Sequence, residues 1–256
     1  DSFSDGGKHL ATADAVAAGL AMAEDGAAII DVGGESTRPY SQSVSHQEEL
    51  DRVLPVIEQL AARVAVPISI DTSKAAVAQA AVAAGAEIIN DISGLQGDPQ
   101  MQTVAAQCGV GVCVMHMRGT PQTMQDHPEY EDVVGEIYHY LQQRLEACVA
   151  AGIRRERICL DPGIGFGKTH AHNLELLRAT KRFTGLGCPL LIGHSRKGFI
   201  RKLLGPAASN LDYGSIGVSL AVAAAGADVI RVHAVKPTVE ALRLFAAAGG
   251  LAAGKD

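Results

Sequence analysis

The 256-residue chain has no tryptophan, and its aromatic residues amount to 4%. Its interior must therefore be built from Ala, Val, Ile and Leu. It has no excess of positive charge: 22 basic against 28 acidic residues leave a net charge of −6. A protein that neutralises many phosphates carries a basic surplus, so DNA and RNA binding are disfavoured, and any anionic ligand must be held by a local cluster. No apolar run approaches the roughly 18 residues of a membrane-spanning helix. The opening DSFSDGGKH has none of the features of a signal peptide. The cysteines (Cys108, Cys113, Cys148, Cys159 and Cys188) are odd in number and contain no C-x-x-C pair. They read as buried free thiols of a reducing cytoplasm, with neither disulfides nor a zinc site.

What is present is an alternation. Short β-rich runs cover residues 27–34, 67–73, 87–93, 111–117, 157–163, 189–195 and 228–235. Near-continuous apolar stretches such as IID and LLIG suit parallel strands covered on both faces. Helical spacing lies between them, as in Leu50, Val53, Leu54, Ile57, Leu60 and Val64, or Val133, Ile137, Leu141, Leu145 and Cys148. EDGAAIID, AAGAEIIN and AAGADVIR repeat one joint, in which a helix ends in Gly and a strand follows. A further helix is expected around Leu10 to Asp25. With no linker or change of composition, the whole chain, 1–256, reads as one domain. Seven strands, each followed by a helix, fit a (β/α)8 TIM barrel whose first strand precedes Asp1. A doubly wound open sheet is the alternative. The lack of a strand–G-x-G-x-x-G–helix unit near the start weakens its dinucleotide-binding form.

In a barrel, the C-terminal strand ends meet at one face, which carries the chemistry. Here those ends supply Asp31 with Glu35, Asp71, Asn90 with Asp91, His116, Asp161, His194 with Ser195, and Arg231 with His233. Arg231 and His233, two apart, point the same way. Asn90 and Asp91 are adjacent, so only one faces the mouth, leaving the other to anchor a loop. Asp71, Asn90 and Asp161 suit a ligand edge rich in N–H donors. Arg38, Lys197, Arg231 and His233 suit an anion. A purely structural network of ion pairs would produce the same composition. Three motifs fail on spacing or surroundings. GIGFGKT at 163–169 has three residues between its glycines where a phosphate loop needs four, so its glycines are expected to let the backbone pass close to a ligand beneath Phe166, with Lys168 solvated. GHSRK at 193–197 lacks the second Gly of a nucleophile elbow. His170 and His172 read as surface-loop residues rather than a zinc pair, and His116 as a packed histidine.

DSFSDGG, DVGGESTRP, SIDTSK, IINDISG, MHMRGTPQTMQ, LDPGIGFGK, GHSRKGFI and IRVHAV, in that order from Asp1 to about Val239, resemble the dihydropteroate synthases, a pterin-binding TIM-barrel family. The resemblance implies a folate-pathway transferase of the kind that sulfonamides target. Such an enzyme joins 6-hydroxymethyl-7,8-dihydropterin diphosphate to p-aminobenzoate, giving 7,8-dihydropteroate and diphosphate. It implies Asp71, Asn90, Asp161 and Lys197 on the pterin ring, Met115 and Phe166 as its apolar walls, and Arg231 and His233 on the diphosphate. Thr37, Arg38, Pro39 and Ser195 would border the p-aminobenzoate site, with a mobile first loop, Phe3 to Gly7. Asp71, Asp161, Lys197, Arg231 and His233 would act in catalysis. The family implies Mg²⁺ on the substrate diphosphate, held in part by an Asn that would lie before Asp1, so no metal ligand is assigned within the chain. It also implies a cytoplasmic homodimer. Two other readings stay open: a methyltetrahydrofolate-dependent methyltransferase, and a pterin-binding protein without activity.

Overall fold

The computed structural model describes residues 12–207 and 209–251. Elements alternate along the chain: α1 (Thr12–Glu24), β1 (Ile30–Gly33), α2 (His46–Ala61), β2 (Ile68–Asp71), α3 (Ala75–Ala83), β3 (Ile88–Asp91), α4 (Met101–Cys108), β4 (Gly111–Met115), α5 (Val133–Ala150), β5 (Ile158–Asp161), α6 (His170–Arg178), α7 (Thr180–Thr184), β6 (Leu191–Ile192), α8 (Gly198–Leu204), α9 (Leu211–Ala224), β7 (Val229–Ile230) and α10 (Val235–Ala247). Local chemistry sets many boundaries. Ser45 and Glu48 form a capping box at α2, Asp132 caps α5 through the Gly135 amide, and Thr169 caps α6. The repeated joints end as their glycines predict: Gly26, Gly85 and Gly226 have φ of 95°, 117° and 102°.

All strand pairs are parallel and follow chain order. β1 to β5 form one sheet, β6 pairs with β7, and a bridge between Leu160 and Leu190 joins the two groups. The seven strands match the seven expected runs but are shorter, with two to five paired residues each. The row is curled. A flat sheet would place β1 and β7 roughly 29 Å apart, at about 4.8 Å per strand. Instead Arg231, just past β7, bonds Asp31 of β1 at 2.8 Å. This is the (β/α)8 barrel, with seven of its strands among the described residues. The expected eighth, before Asp1, lies outside them, as does the loop Phe3 to Gly7.

One apolar cluster runs from Val16 to Val222 between the strands and the helices, with Ile57, Leu60, Ile70, Ile89, Leu141 and Leu160 at or near zero exposure. Full burial of each such side chain contributes about 1.5–3 kcal/mol. Ile92, Met115, Met124 and Phe166 form a separate small cluster. The five cysteines are free thiols, but Cys108 and Cys159 are only half-buried.

Candidate active site

The strand register sets the levels of the site. Gly33, Asp71 and Asn90 stand opposite one another on β1, β2 and β3; Met115 and Asp161 are opposite on β4 and β5. Gly33 leaves the space beside Asp71 open, since a Cβ there would stand 3.3 Å from that of Asp71. Arg231 Nε donates to Asp31 Oδ2 at 2.8 Å and Nη2 to Asp71 Oδ2 at 3.3 Å. Asn90 Nδ2 donates to the same Asp31 carboxylate at 3.3 Å. Asp91, its neighbour, points the other way and accepts from Ser93 and from the Leu95 amide.

On the opposite side, Asp161 Oδ1 accepts from the Gly163 amide at 2.7 Å. Lys197 donates to the Ile164 carbonyl, and its Nζ lies 4.5 Å above the Phe166 ring. The glycine-rich segment allows these approaches. Gly163 and Gly165 have φ of 69° and 86°. A side chain at Gly163 would strike the His116 carbonyl, and one at Gly165 would stand 2.8 Å from Lys197 Cδ. These glycines let the segment approach the His116 carbonyl and the Lys197 stem closely.

Ser195 Oγ accepts from the His233 backbone N–H at 3.3 Å, so its proton is available to His233 Nδ1 at 2.8 Å. Thr37 is buried and Pro39 half-buried. Arg38 keeps Nε and Nη2 buried without a hydrogen-bond partner. A guanidinium in that condition calls for an acceptor from a ligand, because an unsatisfied buried donor costs about 1–3 kcal/mol.

Burial governs the electrostatics. It pushes Asp71 up to about 7, helped by the Asp31 charge and opposed by Arg231. Burial also raises Asp161, against the Gly163 amide and Lys197. Lys197 is brought down to about 7 by burial, which Asp161 resists and Arg231 assists. His233 falls to about 4 through burial, then through the Arg196 and Arg231 charges. Before an anion arrives it is therefore neutral, and Arg231 is the fixed cation of this group.

The structure thus brings together Asp71, Asn90 and Arg231; Asp161, Phe166, Met115 and Lys197; and Ser195 with His233. Three expectations need correction. Lys168 is not solvated: it is 3% exposed, and its Nζ contacts His116 Nδ1 at 3.0 Å and the Phe166 carbonyl at 2.8 Å. His170 and His172 are in the first turn of α6, not in a loop. Glu35 turns from the mouth to Lys74, which also pairs with buried Glu49. His116 is packed as expected. Sequence reasoning left two contributors out of the site. Asp31 was visible as a strand-end acid, but its bond to Arg231 depends on closure of the barrel. Met124, which packs with Met115 and Phe166, comes from a long segment without periodicity.

Comparison with known proteins decides the family. A profile described as "Pterin binding enzyme" matches residues 1–233. The chain is 48% identical over 247 residues to the dihydropteroate synthase of Escherichia coli K12, covering 96% of this chain and 87% of that one. The chain belongs to the dihydropteroate synthase family. Among solved structures, the Yersinia pestis dihydropteroate synthase in a sulfonamide drug complex superimposes with a TM-score of 0.92 at 47% identity, covering 97% of this chain and 90% of that one. The Xanthomonas albilineans dihydropteroate synthase with 4-aminobenzoic acid gives 0.89 at 45%, covering 98% and 90%. As a dihydropteroate synthase the chain is a transferase of folate synthesis, and the methyltransferase and non-catalytic readings fall away.

Proposed function

We propose that this site condenses 6-hydroxymethyl-7,8-dihydropterin diphosphate with p-aminobenzoate by loss of diphosphate followed by amine attack. The observation that carries the reading is the mixed rim: three acids and an amide lie within reach of Arg231 and Lys197 at one end of the barrel. A pterin edge rich in N–H donors suits Asp71, Asn90 and Asp161. Met115 and Phe166 supply its apolar walls. Arg231 must exchange its bond to Asp71 for the diphosphate, and Ser195 orients His233 beside the same anion.

In the first step the C–O bond at the pterin methylene breaks and its electron pair leaves with diphosphate. Arg231 and Arg38 neutralise that charge and neutral His233 adds a hydrogen bond, each positioned donor contributing about 3–4 kcal/mol. The cation left behind spreads into the electron-rich ring, where Asp71 and Asp161 stabilise it. The aniline lone pair then forms the C–N bond, and its surplus proton passes to the diphosphate. Thr37, Arg38, Pro39 and Ser195 border the p-aminobenzoate, and Lys197 bridges the ring and amine sites.

Mg²⁺ would come with the diphosphate and add to the neutralisation of its charge. Among the described residues no three His, Cys, Asp or Glu side chains gather into a metal-holding group, and Asp31 already faces Arg231 and Asn90, so these residues do not form a site for the ion and no step is routed through it. Pairing into homodimers is supported by exposed Leu203, Leu204 and Tyr213 on α8 and α9. The five free thiols suit the cytoplasm. The test of function is diphosphate release with both substrates present. Equimolar dihydropteroate is expected, and diphosphate without dihydropteroate, or no turnover, would refute the reading.

A further inference from the structure

Lys168 is a buried lysine that the reaction leaves unused. Its ammonium has three protons and three acceptors: His116 Nδ1 at 3.0 Å, the His116 carbonyl at 3.3 Å and the Phe166 carbonyl at 2.8 Å. Two of those acceptors belong to the segment after β4 and one to the segment after β5, so a single side chain ties the two loops together. The tie is reinforced at its edges. Tyr130 donates to the Gly167 carbonyl at 2.9 Å and Gln125 to the Gly165 carbonyl at 2.7 Å. Between them sit Met115, Met124 and Phe166 in their own cluster. Lys197 rests on the same loop through the Ile164 carbonyl and the Phe166 ring.

We infer that Lys168 is a positioning residue for the pterin pocket: it fixes the 163–168 loop, and through it the Phe166 wall and the Lys197 ammonium, without touching substrate. The inference rests on the proposed function, since it takes Phe166 and Lys197 as the groups that meet the ring. Asp161, raised by burial, is lowered by the Gly163 amide that binds it and by the charges of Lys197, Lys168 and Arg231. Burial holds Lys168 well below the usual lysine range while the Asp161 charge resists that shift, and wherever Lys168 is charged its removal raises the pH at which Asp161 ionises. The effect should be larger for the pterin than for p-aminobenzoate, because Lys168 holds the Phe166 loop directly and, among the described contacts, reaches the loop after β1 only through the segment after β4, whose Pro121, Gln122 and Asp126 bond Tyr40 and Ser41.

Lys168→Met keeps the stem and deletes the three donors. Expected are a KM for dihydropterin diphosphate at least tenfold higher, a clearly smaller rise in the KM for p-aminobenzoate, and an acid limb of kcat/KM for the pterin displaced to higher pH. In Lys168→Ala, propylammonium but not propanol should restore pterin affinity. If Lys168→Met does not fold, Lys168→Gln, which keeps two N–H donors without the charge, takes its place with the same expectations in smaller measure. Equal increases in both KM values, or unchanged KM values with only a lower Tm, would reduce Lys168 to a structural tie and overturn the inference. Failure of the unaltered protein to make dihydropteroate would overturn the proposed function and this inference together. A working parent with an unaffected Lys168→Met overturns the inference alone.

Discussion

Asp71→Asn separates what the barrel needs from what its site needs. Asp71 is 9% exposed, faces Asp31 through their shared Arg231, and has its pKa pushed up from 3.8 to about 7. Its folded value lies above its unfolded one. The stability associated with the protonated form is therefore complete below about pH 4 and is lost as pH rises through about 7. A rise of that size corresponds to about 4 kcal/mol, at about 1.4 kcal/mol per pH unit. Arg231 shares part of that charge interaction, so about half, roughly 2 kcal/mol, is expected. Asparagine is close in shape to the neutral acid and its oxygen can still accept from Arg231. In urea melts of the ligand-free protein, Asp71→Asn should be about 2 kcal/mol more stable than the parent at pH 8, and the gap should close toward pH 4. Turnover should fall at least a hundredfold, because the charge that stabilises the cationic ring is gone. A gap that does not vary with pH, or a variant less stable at pH 8, would refute the electrostatic argument.

Two other substitutions follow from the same geometry. Arg231→Met removes the fixed cation of the anion-binding group, so kcat should drop about a hundredfold, close to 3 kcal/mol in the barrier. Near-normal kcat in a diphosphate-release assay would remove the role given to it. The same change lets Asp71 rise further, so the acid limb of pterin binding should move to higher pH. Gly165→Ala forces a side chain onto a φ of 86° and to within 2.8 Å of Lys197 Cδ. It should lower stability by about 1–2 kcal/mol and weaken pterin binding, read as Tm and KM, whereas an unchanged KM would mean that Lys197 can be displaced without consequence.

Much of this molecule was legible in its sequence because the rules involved are local. The Ala-Gly joints, the capping residues and the short apolar runs located seven strands in order. The one-residue step from Asn90 to Asp91 divided their side chains between Asp31 and the loop at Ser93 to Leu95. What stayed hidden depended on closure. The bond from Arg231 to Asp31 joins positions 200 residues apart, and no periodicity announces it. Lys168 looked like a surface residue beside exposed Thr169 and His170, yet two of its three acceptors come from the backbone and ring of His116 on a neighbouring loop. Met124 lies among TPQTMQDHP, where neither helical nor strand spacing marks an inward face. The strands were overestimated in length because their ends leave the hydrogen-bonded ladder and turn into the loops of the site.

The most direct test is a structure of this protein with its dihydropterin diphosphate substrate bound. The account predicts the ring between Met115 and Phe166, its N–H edge on Asp71, Asn90 and Asp161, Lys197 at its rim, and Arg231 turned from Asp71 to the phosphates. A ring bound elsewhere, with the Arg231 contacts to Asp31 and Asp71 both intact, would contradict it.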